Sequence, residues 1–384
     1  MTKKIAILTL HFANNYGAVL QVYALSKRLR DHGYEVEVLD YEMESARKNL
    51  IFSYPISFIR KVWLRGMLSP SKILSRLKGK PDCSNVFENK QSIFDEFRKK
   101  HLNISSVNHT AETLQKNCPD FDAFIVGSDQ VWAADFLFTS PTYLLSFVPE
   151  NKIKISYAAS FGKRSLENYL KPTFSKFVKR IDHVSVREDS GLNIVKEFTN
   201  NVSQVLDPTL LLDDYSDIVS VNPESDYILV YKLNQEESLS NYFLNQVNNI
   251  ACITGYKVIY ISPDGSLDID LADVRLPSPN ELLGLIKNAK MILTNSFHGL
   301  VFSIIFNKPF LGFQRDLFED KQNLRLTGLL SMFGIEDNLI TFGTQINESN
   351  LESLLSIDYE LVNKRIEKEK EKSWSFLKNA IEKK

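Results

Sequence analysis

Cysteine is scarce in this 384-residue chain: Cys83, Cys118 and Cys252 are the only three. They are far apart, odd in number and without a motif partner. That excludes a disulfide framework and a cysteine zinc site and suits a reducing compartment. The six histidines show no metal-ligand spacing, so no metal is expected. An excess of one charge is also missing. A formal net charge of −1 speaks against nucleic acid as a partner, because a phosphate backbone needs a positive field. No stretch approaches the roughly 18 apolar residues that span a bilayer. The opening MTKKIAILTLHF is too short an apolar run for a secretory signal and carries no small-residue cleavage site. A cytoplasmic protein is expected. No G-x-G-x-x-G, G-x-x-x-x-G-K-[ST] or G-x-S-x-G is present, so dinucleotide, P-loop and hydrolase-elbow readings lack support. No pair of carboxylates stands out as a glycosidase dyad.

What is present is an ordinary globular composition, 43% hydrophobic and 24% charged, in a chain too long for one core. Residues 4–10 form an apolar run, a polar loop follows from His11 to Gly17, and Ala18 to Arg30 has helical spacing. Gly33 stops that helix, and Tyr34 to Tyr41 alternates like a second strand. Further apolar runs lie at Asp122–Val126, Lys154–Ala159, His183–Val186 and Val205–Leu206. A second set comprises Asp226–Leu233, Tyr256–Ile261, Ala289–Thr294 and Pro309–Phe313. Strands alternating with helical segments predict an α/β fold of two doubly wound domains, 1–215 and 222–384, joined near the polar stretch 213–225. The last 26 residues read as a charged amphipathic helix docking through Leu361, Trp374, Leu377 and Ile381. Between Arg47 and Pro81 lie nine Lys or Arg and no Asp or Glu, interleaved with aromatics. This is either a helical insertion with a basic outer face or a patch that rests on anionic lipid or an acidic glycan. The second reading places the protein at the inner face of the membrane.

In an open parallel sheet the ligand sits beyond the carboxyl ends of the strands. Here those ends carry polar clusters: Asn15 and Gly17 after the first strand, Ser128 and Asp129 after DAFIV, Ser160 after KISYAA, Arg187 after HVSV. In the second half they are Lys232, then Asn295-Ser296-Phe297-His298-Gly299, then Arg315. His298 is the leading candidate, because it sits at a helix N-terminus, where anions are favoured and an imidazole can move a proton near neutral pH. It could equally be a hydrogen-bonded connector. Arg187 could clamp a carboxylate or phosphate bidentately, or pair locally with Glu188 or Asp189. Asp129 could orient or deprotonate a hydroxyl, or cap the next segment. Asp207-Pro208 reads as a structural strand end.

These clusters, N-Y-G-A-V-L-Q at 15–21, G-S-D-Q-V-W at 127–132, S-Y-A-A-S-F-G at 156–162, V-R-E-D-S-G at 186–191, V-L-D-P-T-L-L-L at 205–212 and T-N-S-F-H-G at 294–299, resemble the polysaccharide pyruvyl transferase family. The resemblance runs in order from about residue 4 to about residue 345. It implies a GT-B-like architecture with an interdomain cleft. It implies transfer of pyruvate from phosphoenolpyruvate, a co-substrate with no further cofactor, to a sugar of a surface polysaccharide (capsule or exopolysaccharide) or its lipid-linked precursor. His298 and Asp129 would be catalytic. Arg187, Lys232, Ser296, Gly299 and Arg315 would bind the donor. Asn15, Gly17, Ser128 and Ser160 would line the acceptor side. One departure stands out: the family resembles T-x-R-x-H-G here, and this chain has Ser296 at the arginine position, so Arg315, Arg325 or Lys232 would have to substitute. A nucleotide-sugar glycosyltransferase on the same fold and an inactive glycan-binding subunit of an assembly complex are the alternatives.

Overall fold

A computed structural model describes residues 2–41, 84–133, 141–263, 273–317 and 323–382. The basic segment 47–81, with both readings made of it, lies outside the described residues. The first apolar run forms β1 (Lys4–Leu8), and the helical spacing after it forms α1 (Tyr16–Asp31). Then come β2 (Glu35–Tyr41), α2 (Ser84–His101), β3 (Ile104–His109), α3 (Ala111–Lys116), β4 (Ala123–Asp129) and β5 (Ile153–Ala159). The first half finishes with α4 (Lys171–Val178), β6 (His183–Val186), α5 (Asp189–Lys196) and β7 (Val202–Gln204). All neighbours in this seven-stranded sheet run parallel, in the order β3-β2-β1-β4-β5-β6-β7.

The second sheet is built from β8 (Tyr227–Tyr231), β9 (Lys257–Ile261), β10 (Val274–Arg275), β11 (Met291–Thr294), β12 (Phe310–Phe313) and β13 (Leu339–Ile340). It too is parallel, in the order β10-β9-β8-β11-β12-β13. Around it lie α6 (Glu237–Thr254), α7 (Pro279–Asn288), α8 (Phe297–Ile305), α9 (Asn323–Phe333), α10 (Glu348–Leu355) and α11 (Tyr359–Glu382). Each sheet reverses its strand order once, between β1 and β4 and between β8 and β11, and that reversal opens a crevice at the strand ends. Strand β8, YILVY, is buried throughout, as a central strand covered on both faces should be. Three strands escape the sequence reading. β10 and β13 span two residues each, and β3 (ISSVNH) is a polar edge strand with an exposed middle. The run at Val205–Leu206 lies just beyond β7, in the crossover.

One apolar core passes from the first sheet into the second, joining Tyr16, Val19 and Tyr157 to Tyr231, Phe297 and Leu300. Tyr16 donates to the Pro277 carbonyl at 2.6 Å and meets Tyr231 edge-on. Helix α11 follows the second sheet in sequence but reaches back to the first. Its Ser373 hydroxyl accepts from the Leu206 backbone at 2.9 Å, and Trp374 packs on His32 with ring centroids 4.0 Å apart. Leu377 and Ile381 are buried as expected, whereas Leu361 is 44% exposed. The buried stripe instead starts at Val362 and continues through Ile366, Lys370 and Ser373, a 3–4 residue spacing that leaves Leu361 on the outer face. Among the described residues no helix is long and apolar enough to cross a membrane.

Leu377 is wholly enclosed, so Leu377→Ala is expected to cost about 2–5 kcal/mol of unfolding free energy. Urea titration followed by circular dichroism measures this; Leu361→Ala, on the outer face, should shift the midpoint little.

Candidate active site

The four strands flanking the two reversals all deliver their carboxyl-terminal loops into one cleft of about 390 Å³. Leu10, Ala13, Asn14 and Asn15 come from the loop after β1, and Asp129 and Gln130 from the end of β4. Leu233 follows β8, and Ser296, Phe297 and His298 follow β11. Lys90 of α2, Arg315 after β12 and Arg325 of α9 complete the lining named here. The volume falls within the roughly 300–1,000 Å³ of small-molecule sites.

Two helix N-termini meet at this cleft. Asn15 caps α1, accepting from the Ala18 amide at 3.3 Å, and Ser296 caps α8, accepting from the Gly299 amide at 3.3 Å. Neither helix has an acidic residue in its first turn, so both positive dipole ends stay uncompensated from within. The two ends touch: a Cβ on Gly17 would lie 2.0 Å from His298 Nδ1, so only glycine leaves room for the imidazole. Gly299 has a packing reason of its own, lying where a Cβ would strike Thr294 Oγ1 at 2.3 Å. Asn295 pins the two loops of the second sheet together, accepting from the Leu233 amide at 2.7 Å and donating to its carbonyl at 2.9 Å.

Behind the imidazole lies Asp207, the residue that sequence reasoning took as merely structural. Its carboxylate is buried and accepts from Arg187 Nη1 at 2.8 Å, Ser128 Oγ at 3.2 Å, and the Thr209 amide and hydroxyl at 3.1 and 2.7 Å. His298 Nε2 stands 3.8 Å from its Oδ2, an electrostatic contact too long for a hydrogen bond. Burial alone pushes this carboxyl up, but the His298 imidazole and the Arg187 guanidinium outweigh it and hold Asp207 well below the usual carboxylate range. Nε2 is buried on that side and without a hydrogen-bond partner, and Nδ1 lies away from Asp207, beside Gly17.

Arg187 is not in the cleft lining. Its guanidinium is buried behind it, stacked 4.5 Å over the Phe297 ring and held by Asp207, with Glu188 at 3.4 Å and Asp129 at 3.7 Å. Burial lowers its pKa, and those three carboxylates raise it further than burial lowers it. Ser128 and Ser160 are likewise fully enclosed. Their hydroxyls serve Asp207 and Glu188, so neither faces the cleft as expected for the acceptor side. Lys232 is 1% exposed at the end of central strand β8 and is also absent from the lining. Asp129 does reach the cleft, with its side chain 18% exposed and its backbone in the left-handed region at φ 67°. A non-glycine residue held there is strained, and such strain recurs at functional sites. Arg315 lines the cleft and donates to the Asn234 carbonyl at 3.3 Å. Lys90, which sequence reasoning missed, donates to the Pro263 carbonyl across the two halves. Nothing local in the sequence marks it, because it is brought in by a helix of the first half far from any strand end. His11 is structural: it is buried against Asp40 at 3.2 Å, and burial lowers its pKa. Among the described residues no group of His, Cys, Asp or Glu is arranged to hold a metal ion.

Removing the Asp207 charge takes away the nearest of the three carboxylates around buried Arg187 and the one facing His298, so Asp207→Asn is expected to cost about 3–5 kcal/mol near pH 7. Because the folded-state pKa is depressed, that contribution is complete above the unfolded carboxyl value of about 4 and is lost as pH falls below it. Denaturant unfolding of the wild type and Asp207→Asn from pH 7 to pH 3 should therefore show a gap that narrows on the acid side.

A sequence model of the family described as polysaccharide pyruvyl transferase matches residues 15–316. General stress protein 30 of Bacillus subtilis (strain 168) is 31% identical over 145 residues, 37% of this chain and 41% of that protein. The chain thus spans about two fifths of the length of this curated relative. A solved structure described as a putative UDP-N-acetylglucosamine 2-epimerase from Listeria monocytogenes is similar over 100% of this chain and 98% of its own, with TM-score 0.51 and 13% identity. Arabidopsis thaliana UGT89C1 complexed with UDP-L-rhamnose is similar over 99% and 98%, with TM-score 0.52 and 10% identity. At these identities the likeness is one of fold, the two-domain GT-B-like architecture. The family model covers most of the chain and includes the Gly17, Asp129, Arg187, Asp207 and His298 clusters, and by that match the chain belongs to the polysaccharide pyruvyl transferase family.

Proposed function

We propose that this chain transfers the pyruvyl group of phosphoenolpyruvate onto two hydroxyls of a sugar, on a surface polysaccharide or its lipid-linked precursor, forming a cyclic ketal. Family membership supports the reaction class, and one observation carries the assignment to this cleft. Among the described residues, the cations Lys90, Arg315 and Arg325 and two helix N-termini surround His298, with Asp129 as the one carboxylate in the lining. A small, highly charged anion is the ligand such a site favours.

In this reading residues 222–384 hold the donor and residues 1–215 present the acceptor. His298 gives a proton to the methylene carbon of the enol phosphate, and the positive charge develops on the neighbouring carbon. One sugar hydroxyl adds there while Asp129 takes its proton. The second hydroxyl then displaces the phosphate. Two C–O bonds form and the C–O bond to phosphate breaks. The two hydroxyl protons balance the one spent on the methyl group and the one that leaves with inorganic phosphate. The Asp207 carboxylate stabilises positive charge on the imidazole, and Gly17 fixes where the ring stands. Arg187 acts at one remove, as a positioning residue that holds Asp207, Glu188 and Asp129 around the site. Asn15 and Ser296 contribute as helix caps that aim amides at the cleft.

Phosphate release from phosphoenolpyruvate, assayed against β-galactosides, mannosides and lipid-linked oligosaccharides, tests this directly. His298→Ala should lower the rate by about 10²–10⁴-fold. Gly17→Ala, which displaces the ring, should lower kcat by about 10²-fold. If uridine or guanosine diphosphate raises the melting temperature and phosphoenolpyruvate does not, the donor is a nucleotide sugar instead.

A further inference from the structure

A cyclic ketal is made from two hydroxyls of one sugar, so the cleft wall has to hold two oxygens of the acceptor at once. Asp129 accounts for one of them. Its neighbour Gln130 lines the same cleft, half-buried, and no step of the proposed reaction uses it. Consecutive residues of a strand point to opposite faces. The left-handed backbone of Asp129, φ 67°, ends that alternation at the last residue of β4, and both side chains line the one cleft.

The Gln130 side chain is held from several directions. Val131 and Trp132 beyond it are wholly buried, and the Trp132 indole donates to the Tyr143 carbonyl at 2.9 Å. The backbone is tied to the end of β5: the Ser160 amide donates to the Asp129 carbonyl at 3.0 Å, and the Trp132 amide donates to the Ser160 carbonyl at 3.1 Å. Gly162, at φ 64°, forms one flank. A Cβ there would stand 3.0 Å from the Gln130 Cδ, 3.1 Å from Nε2 and 3.2 Å from Oε1. Those nearly equal distances lay the carboxamide flat against the glycine, and a larger residue would displace it. From α9 the Arg325 guanidinium donates to the amide oxygen, with Nη1 at 2.6 Å and Nη2 at 3.1 Å. With the oxygen turned to Arg325, the opposite end of the group is the NH₂, which carries two donors. A fixed neutral donor beside a carboxylate suits a pair of neighbouring hydroxyls, because one oxygen accepts from the amide while the other hydroxyl donates to the carboxylate.

We propose that Gln130 is the specificity-determining residue for the acceptor, its carboxamide nitrogen donating to the second of the two sugar hydroxyls that close the ketal while Asp129 takes the proton of the first. The role rests on the pyruvyl-transfer reading, which is what requires two hydroxyls. Because Asp129 and Gln130 are adjacent and both anchored to β5, the distance between the two oxygens they hold is set by the backbone. The pair therefore selects a diol of one spacing and one orientation.

Phosphate release from phosphoenolpyruvate by the full chain tests this, using wild type, Gln130→Glu and Gln130→Ala, with β-galactosides and mannosides as acceptors and their monodeoxy analogues as competitive inhibitors. Gln130→Glu keeps an oxygen for Arg325 and loses the NH₂ donors, so the two contacts of the side chain are separated. Both variants are expected to raise the acceptor KM by about tenfold. In wild type the analogue lacking the hydroxyl held by Gln130 should inhibit about tenfold less well, and in both variants that penalty should be gone. Because the analogues are compared within each variant, any change in donor binding cancels. Circular dichroism melting separates misfolding from lost binding, and the nearly isosteric Gln130→Glu carries the test if Gln130→Ala does not fold. If Gln130→Glu keeps the wild-type acceptor KM and the analogue penalty, Gln130 serves only to hold Arg325; the proposal is then overturned and the pyruvyl-transfer reading stands. A wild type that releases no phosphate from phosphoenolpyruvate with any of these acceptors overturns that reading, and the ketal role of Gln130 falls with it.

Discussion

A single buried carboxylate holds the site together. Asp207 sits in the crossover between the two sheets and gathers Arg187 from β6, Ser128 from β4 and Thr209 from its own turn, with His298 of the second half against its remaining face. A charge in that position is stable only while its partners remain, because burial without pairing would cost several kcal/mol. The pairing therefore fixes more than an energy. It sets which nitrogen of His298 is buried, where Phe297 stacks on Arg187, and how close α8 comes to α1. Gly17 completes the arrangement from the other side by leaving no side chain in the ring's way.

Charge is distributed in two layers as a result. The inner layer is matched: Arg187 is surrounded by Asp207, Glu188 and Asp129, and it is sealed from the cleft. In the outer layer Lys90, Arg315 and Arg325 line the cleft and two helix N-termini add to its positive field. The inner layer holds the site's charges in place, and the outer layer puts positive charge on the cleft wall. In this separation the most conspicuous cation at a strand end, Arg187, lies buried behind the cleft, whereas less conspicuous ones line it.

Much of this was legible in the sequence. Apolar runs of parallel-strand type marked the central strands of both sheets, and polar clusters at their ends marked the cleft, His298, Asp129 and Asn15 among them. What was not legible follows from physics that acts across the chain. β10 and β13 are held by sheet neighbours rather than by a pattern of their own, and β3 is too polar to stand out. Ser128, Ser160 and Lys232 have the right residue types at strand ends, but side-chain direction, which sequence does not reveal, turns them inward. Asp207 looked like an ordinary turn-former before proline. Lys90 lies on a helix joined to the cleft only through tertiary packing. The register of α11 was one residue away from the stripe read for it at Leu361, because Val362 and not its neighbour meets the core.

The central claim is that His298, backed by Asp207 at Nε2, meets the bound anion through Nδ1. Nitrogen-15 NMR of imidazole-labelled protein reads both ring nitrogens separately, with His298→Gln for assignment. Adding phosphoenolpyruvate should move the Nδ1 resonance of His298 strongly, with Nε2 responding less because its neighbour Asp207 is unchanged. A titration in which neither His298 nitrogen responds, or in which Nε2 alone does, would contradict the account.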